Sequence, residues 1–303
     1  MELRDIEYFA VVAEHGHLGR AAEALGLSTP ALSKSLRRLE QSLQAKLVKR
    51  TPKGVELTAE GSALLLHVRE LRLSLQDVAR EIADLSQGRV GYLRIGTGPI
   101  GEYLYPTALI AMLKVAPRVT LKVTVADNDV LIPALRNGDL DLIVLFIPSA
   151  PYEGLVQDHL YDDELIVCAS ADHRLVKFKR VSMADLAQER WALSSSNILI
   201  LNQERLHRAF QDCGLPPPRI VVETRSLLLR LQTVASSTLL GFTSRRVLQR
   251  VAPLLRLTAL PVKELTWRRP IGVIYRKDTY LSPAARRFIE ILKTTAKDIA
   301  EEQ

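Results

Sequence analysis

Seven cations crowd one short stretch of the chain. Between Ser28 and Lys53 stand Lys34, Arg37, Arg38, Lys46, Lys49, Arg50 and Lys53, with Glu40 as the sole acid. Residues 1–27 have the opposite balance, with Arg4 and Arg20 against five acids. Clustered lysines and arginines neutralise phosphates. Thr29, Ser33, Lys34 and Arg37 add hydroxyl, ammonium and guanidinium groups on the outward side of one helix, where they suit base edges in a major groove. A solvated helix face more often mixes signs. Double-stranded DNA is the partner this excess implies, with Ser28, Pro30 and Arg38 completing the helix-borne contacts.

A second constellation suggests different chemistry. Gly96-Thr97-Gly98-Pro99-Ile100-Gly101 satisfies the G-x-G-x-x-G dinucleotide pattern after a strand, and Asp127 stands near the end of the next strand. Three features oppose a nucleotide there. Pro99 removes an N–H from the turn that would cradle pyrophosphate. Pro106 would fall inside the helix opening at that turn, at a cost of about 3 kcal/mol. The upstream segment, moreover, reads as a nucleic-acid module. The same loop suits the wall of a small-molecule cleft, with a helix N-terminus facing a small anion.

Catalytic chemistry finds little support. The histidines (His15, His17, His67, His159, His173, His207) form no metal motif, and G-x-S-x-G, P-loop and HExxH patterns are missing from the sequence. Asp162-Asp163-Glu164 reads as a solvated turn before a strand. Cys168 lies in an apolar run and reads as a core thiol, while Cys213 at a helix end is more exposed. No metal, no cofactor and no enzymatic activity are expected.

Helices must position the cations. Leu3, Ile6, Phe9, Ala10, Val12 and Ala13 recur at helical spacing and predict a helix over 3–15, ended by Gly16. A short helix over 18–25 and a Gly26-Leu27-Ser28 turn follow. A third helix, capped at Ser28 or Thr29 with Pro30 in its first turn, runs to about Leu43 and buries Ala31, Leu32, Leu36 and Leu39. Two short helices about a glycine turn make a helix-turn-helix. The segment LVKRTPKGVELT predicts a β-hairpin wing that brings Lys49, Arg50 and Lys53 to the phosphate backbone.

Then comes a long helix capped at Thr58. Leu57, Leu64, Leu71, Val78 and Leu85 stand seven residues apart, with Val68, Leu75 and Ile82 at the other seam position. So narrow an apolar stripe implies a coiled-coil partner, most simply the same helix of a second subunit. Beyond residues 86–91 strands alternate with helices. Strands are expected at 92–96, 119–125, 140–146, 164–169, 191–194, 220–223, 239–243 and 271–275, and helices at 103–113, 130–137, 203–213, 226–235 and 244–251. That order makes α/β layers, with ligands at the carboxyl ends of the strands.

Composition agrees with this division. The 303 residues are 47% hydrophobic and 25% charged, which excludes a mostly disordered chain. Two cysteines exclude a disulfide scaffold and suit a reducing compartment. The opening MELRDIEYF has no signal-peptide core, and the longest uncharged apolar stretch, Leu142–Ile147, is far short of the roughly 20 residues that span a bilayer. A cytoplasmic chain with no membrane partner is expected. A secreted solute-binding protein is opposed by the start of the chain and by the attached helix-turn-helix.

The chain resembles the LysR-type transcriptional regulators. The match is densest over 1–65, at Phe9, Ala21-Ala22, Leu25, Ser28, Pro30-Ala31, Ser33, Leu39-Glu40, Leu43, Arg50, Leu57-Thr58 and Gly61. Departures are Gln44 where that family has glycine, Val48 where it has phenylalanine, and Thr29 where glutamine is common. The resemblance implies an N-terminal all-α winged helix-turn-helix (1–57), a long coiled-coil linker helix (58–88) and a C-terminal α/β effector domain (89–303) built like periplasmic binding proteins. Its subdomains would be 92–161 with 267–303, and 162–266. Further implications are a homodimer or homotetramer, a small carboxylate or other polar effector in the inter-subdomain cleft, and contact with RNA polymerase if the protein activates. Matched by position, the effector contacts are Thr97, Gly98, Pro99, Ile100 and Asn128 from one side. From the other come Ser194, Ser195, Ser196 and Asn197, with Phe242 and Thr243.

Overall fold

The computed structural model describes residues 2–52, 54–86, 91–98, 101, 104–148, 150–195, 200–277 and 279–301. The chain divides into two compact units, Met1–Ile82 and Ala83–Gln303.

The first unit begins with α1 (Leu3–His15), α2 (Leu18–Ala24) and α3 (Thr29–Leu43). Gly16 ends α1 in the left-handed region at φ 60°, where an L side chain would be strained, and its N–H bonds the Val12 carbonyl at 3.0 Å. His17 caps α2: its ring Nδ1 accepts from Gly19 N–H at 3.0 Å. Ser28 caps α3 by accepting from Ala31 N–H at 3.4 Å, with Pro30 in the first turn. Phe9, Ala10, Leu36, Leu39 and Leu47 form the core, and Ala21 and Ala22 let Leu32 pack against Val12. Ala31, expected inside, is exposed, because the inward stripe of α3 runs through Leu32, Ser35, Leu36, Leu39 and Glu40. Strands β1 (Val48–Thr51) and β2 (Gly54–Leu57) form the antiparallel wing.

The end of α3 carries a testable strain. Gln44 caps the helix at φ 49°, with Ala45 N–H reaching back to the Glu40 carbonyl at 3.2 Å. Glycine adopts that conformation freely and glutamine does not. Gln44→Gly should therefore stabilise the unit by about 0.5–1 kcal/mol net of its unfolded-state entropy, read as a higher urea midpoint.

Helix α4 (Ala59–Ser86) follows, capped by Thr58, whose hydroxyl accepts from Gly61 N–H at 2.9 Å. The heptad seam divides along it. Val68 is buried and Leu57 and Leu64 are half-buried in the first unit's own core, whereas Leu71, Leu75, Val78 and Ile82 are 41–60% exposed. The Leu85 side chain lies outside the described residues, as do residues 87–90 of the expected hinge.

The second unit is an α/β sheet with helices on both faces. Its elements are β3 (Tyr92–Thr97), α5 (Tyr105–Val115), β4 (Thr120–Val125), α6 (Asn128–Arg136), β5 (Leu142–Phe146) and β6 (Leu155–Ser170). Then come α7 (Met183–Leu186), β7 (Arg190–Leu193), α8 (Ile200–Asp212), β8 (Arg219–Glu223), α9 (Leu227–Ala235) and β9 (Leu239–Ser244). The chain closes with α10 (Arg245–Leu255), β10 (Leu257–Ala259), β11 (Trp267–Arg276) and α11 (Pro283–Glu301). Strand order is β4-β3-β5-β11-β6-β9-β7-β8, with β10 also on β6.

Two lobes share this sheet. Leu93, Ile95, Met112, Phe288 and Leu292 fill one core, while Trp191, Phe210, Phe242 and Leu265 fill another. Strands β6 and β11 run antiparallel between them. Strand β6 is far longer than the expected 164–169. Its first half is polar, but β11 pairs with that backbone throughout, so alternation of side chains is not needed to hold the strand. Asp163 is correspondingly no solvated turn: it is buried within β6 against Arg269 of β11. Trp267, at the start of the return segment, packs with the second lobe's core.

Candidate functional site

On α3, Thr29, Pro30, Lys34 and Arg37 are exposed and Ser33 is half-buried. The wing meets this face directly, since an Arg50 Nη donates to Ser33 Oγ at 3.0 Å. Lys49 is exposed beside Arg50 on β1, and Lys53 lies outside the described residues. Among the described cations of this run, Arg38 and Lys46 are paired with acids. Arg38 grips Asp5 with both ends of its guanidinium, Nε at 2.7 Å from Oδ2, and the Ser35 hydroxyl donates to the same carboxylate. The Arg38 bonds hold the buried Asp5 below its ordinary carboxylate range, against the upward pull of burial. Lys46 donates to Glu40 at 2.7 Å, alongside Leu47 N–H at 3.0 Å; burial pulls that acid up, and these donors outweigh it. Arg38 therefore joins α1 to α3, and any phosphate must share it with Asp5.

The effector-side residues divide by sheet face. Thr97 is buried at the end of β3, its hydroxyl 3.0 Å from the Gly98 carbonyl. Gly101 is forced by this arrangement, because a Cβ there would lie 1.7 Å from Thr97 Oγ1. Gly96 faces Ile143, Leu131 and Leu140, so its lack of a side chain serves packing. Helix α5 begins only at Tyr105, which leaves Pro106 in its first turn rather than its interior; the expected energetic penalty does not arise. Asn128 opens α6, with Nδ2 3.4 Å from the Tyr152 hydroxyl. Ser194 is buried at the end of β7 and Ser195 is exposed. Phe242 stacks on Trp191 with centroids 5.4 Å apart, inside the second core. Thr243 points to the other face, buried, its Oγ1 without a hydrogen-bond partner among the described residues. Pro99, Ile100, Ser196 and Asn197 lie outside the described residues.

Two further arginines stand at this place. Arg225 bridges the lobes, 3.1 Å from Asp129 and 3.7 Å from Asp127. Arg230 is buried on the inward stripe of α9 beside Leu231 and Val234. A signal for it existed in the spacing, since Leu227, Arg230, Leu231 and Val234 recur at three and four residues on one helix face. Cys168 is a buried thiol pushed up to about 12 by burial, and Cys213 is exposed.

Residues 3–62 match the family model of bacterial regulatory helix-turn-helix proteins of the lysR family, and residues 86–297 match the LysR substrate binding domain. The chain belongs to the LysR family of transcriptional regulators. Among relatives of this LysR-type regulator, the HTH-type transcriptional regulator GbpR of Azospirillum brasilense is 30% identical over 98% of this chain and 87% of that protein. The HTH-type transcriptional regulator CbbR of Rhodospirillum rubrum is 27% identical over 97% of each. In fold, full-length CbnR complexed with its target DNA superposes with a TM-score of 0.60 at 22% identity, covering 97% of this chain and all of CbnR. The regulatory domain of CcmR of Synechocystis PCC6803 in complex with 2-PG gives 0.60 at 20% identity, covering 69% of this chain and 99% of that one. This LysR-type regulator thus pairs a DNA-binding helix-turn-helix with an effector-binding domain. Regulators of the family bind DNA and small effectors and form oligomers. Among the described residues no helix is long and apolar enough to cross a membrane.

Proposed function

We propose that α3 enters the major groove with Ser28, Thr29, Pro30, Ser33, Lys34 and Arg37 at base edges, while Lys49, Arg50 and Lys53 of the wing hold flanking phosphates. Arg38 contributes from the groove edge while bound to Asp5. The observation that carries this is the exposed Thr29, Lys34 and Arg37 face lying beside the Ser33–Arg50 contact. We further read 1–57 as the DNA-binding domain, 58–88 as the dimerisation helix and 89–303 as the sensing domain, paired through Leu71, Leu75, Val78 and Ile82. A small polar effector sits between the lobes, near Thr97, Asn128, Ser195 and Thr243. The chain acts in the cytoplasm as a regulator rather than a catalyst, and it contacts RNA polymerase where it activates.

Gel shifts on DNA from the protein's own promoter region, at matched salt, test the α3 assignment. Arg37→Ala should lose about 1–3 kcal/mol, roughly 10- to 100-fold, on specific DNA and far less on random DNA. Ser33→Ala frees Arg50 and should weaken specific binding several-fold. Unchanged specific affinity in both variants would remove α3 from the groove.

A further inference from the structure

Helix α9 lies on the second lobe with Leu227, Leu231 and Val234 turned into a core that includes Ile166, Cys168 and Ala192. Arg230 falls on that same stripe and is only 7% exposed. A guanidinium keeps its proton at any ordinary pH, so a buried one calls for an anionic partner. Among the described residues it has none within ion-pair distance; its electrostatic neighbours are Cys168 and Asp127. Neither meets the need. The Cys168 thiol is pushed up to about 12 by burial and is neutral. Asp127 belongs to the other lobe, where Arg225 already holds it and Asp129. Burial accordingly pulls the Arg230 pKa down more than these neighbours raise it.

A second unpartnered group faces the same way. Strand β9 pairs with β6 so that Gly241 stands opposite Cys168 and Thr243 opposite Ile166. A Cβ on Gly241 would lie 3.8 Å from Cys168 Sγ and 3.0 Å from Val234, so this is the face that α9 covers. Thr243, two residues on, shares that face one repeat nearer the carboxyl end of the strand. Its Oγ1 is buried with no hydrogen-bond partner among the described residues. Arg230 stands one turn before Val234, toward the same end. Carboxyl ends of strands are where open α/β sheets bind ligands.

We propose that the ligand of this domain is a small oxyanion, a carboxylate or a phosphate, whose charge is taken by Arg230 and whose oxygen accepts from Thr243 Oγ1. The proposal rests on the reading that an effector binds between the lobes, and it names that effector's chemistry. A neutral ligand would accept the guanidinium N–H groups but leave the buried charge uncompensated. An oxyanion satisfies both, and a planar carboxylate does so through two parallel bonds. Arg225, at the lobe boundary, holds Asp127 through its own bridge and so keeps that acid from competing for Arg230.

The test uses the full-length protein at fixed ionic strength. Succinate, citrate, inorganic phosphate and glycerol phosphate are titrated, with succinamide as the uncharged control, and the unfolding midpoint is followed. At least one oxyanion should raise the midpoint in a dose-dependent way while succinamide does not; a response to succinate or citrate against one to the phosphates identifies which oxyanion the site takes. Arg230→Gln and Arg230→Met should lower apparent affinity at least tenfold, and Thr243→Val several-fold. In anion-free buffer Arg230→Met should melt no lower than the wild type, because it removes an uncompensated charge. The proposal is overturned if none of the four anions shifts the wild type, if the shift survives in both Arg230 variants, or if Arg230→Met alone melts far below the wild type. Footprints on the protein's promoter DNA separate the two readings. Anion binding through Arg230 with an unchanged footprint keeps the site and removes its regulatory role. A footprint that responds to a neutral compound, whatever stands at 230, removes the proposal and keeps the effector.

Discussion

Replacing Leu71 with aspartate should leave a folded chain that no longer pairs. The side chain is 41% exposed on α4, so the change removes little from the protein's own core. Leu71, Leu75, Val78 and Ile82 nonetheless form one apolar edge that stays 41–60% exposed. Burying each such side chain against a second copy contributes about 1.5–3 kcal/mol. In a two-fold seam each substitution is met twice, and two carboxylates would be brought into an apolar contact without partners. A loss of about 4 kcal/mol in association, roughly a thousandfold in the dimer constant, is expected. Light scattering at micromolar concentration should report the monomer mass, while circular dichroism keeps its helical signal. Operator affinity should fall with it, since a helix-turn-helix dimer reads two half-sites at once. A particle of native mass after this change would assign pairing to another surface.

How far the sequence could lead differs between the two ends of the molecule. Helix α1 is legible to the residue because period and cap are both local: apolar spacing marks its face and Gly16 ends it. The heptad is legible as a period, but no period tells which knobs the chain consumes itself. Val68 belongs to the core built by α1 and α3, and only the folded unit reveals that the free seam begins at Leu71. Arg38 looks like any other cation of the basic run until Asp5, thirty-three residues earlier, is brought against it. The effector side is harder still. A single arginine in a helix reads as solvated, and Arg230 becomes a buried charge only because the folded lobe turns its stripe of α9 inward. Phe242 shows the reverse error. Its position at a strand end suggested a ligand contact, but alternation along β9 turns it to Trp191 and leaves Thr243 on the opposite face. Strand β6 escaped for a related reason: half of it is polar, and its partner β11 lies about a hundred residues away.

Asp163 illustrates what such long-range pairing is worth. Its carboxylate is wholly buried, 2.9 Å from an Arg269 Nη and 2.6 Å from Ser244 Oγ, which donates to it. It joins β11 and β9 to β6 where β6 passes from the first lobe to the second. Burial already depresses the Arg269 pKa, with Asp163 acting against it, and Arg269 Nε has no hydrogen-bond partner among the described residues. Asp163→Ala therefore removes the one carboxylate that compensates a buried guanidinium. It should cost about 3–5 kcal/mol, against near-neutral values for the exposed acids around it. In a unit of this size that corresponds to an unfolding midpoint lower by roughly 10 °C. Both tryptophans, Trp191 and Trp267, flank Phe242 near this junction, so their fluorescence reports the transition directly. Asp163→Asn keeps a partner for Ser244 and should lose less. The decisive comparison is the double change Asp163→Leu with Arg269→Met, which removes both charges and fills the space with apolar atoms. If the single loss arises from an orphaned charge rather than from lost shape, the double variant should recover most of it, and the coupling in the cycle should exceed about 2 kcal/mol. Additive losses would instead mean that water reaches Arg269 once Asp163 is gone. The β6–β11 backbone ladder, with the Arg225 bridge, would then hold the two-lobe junction.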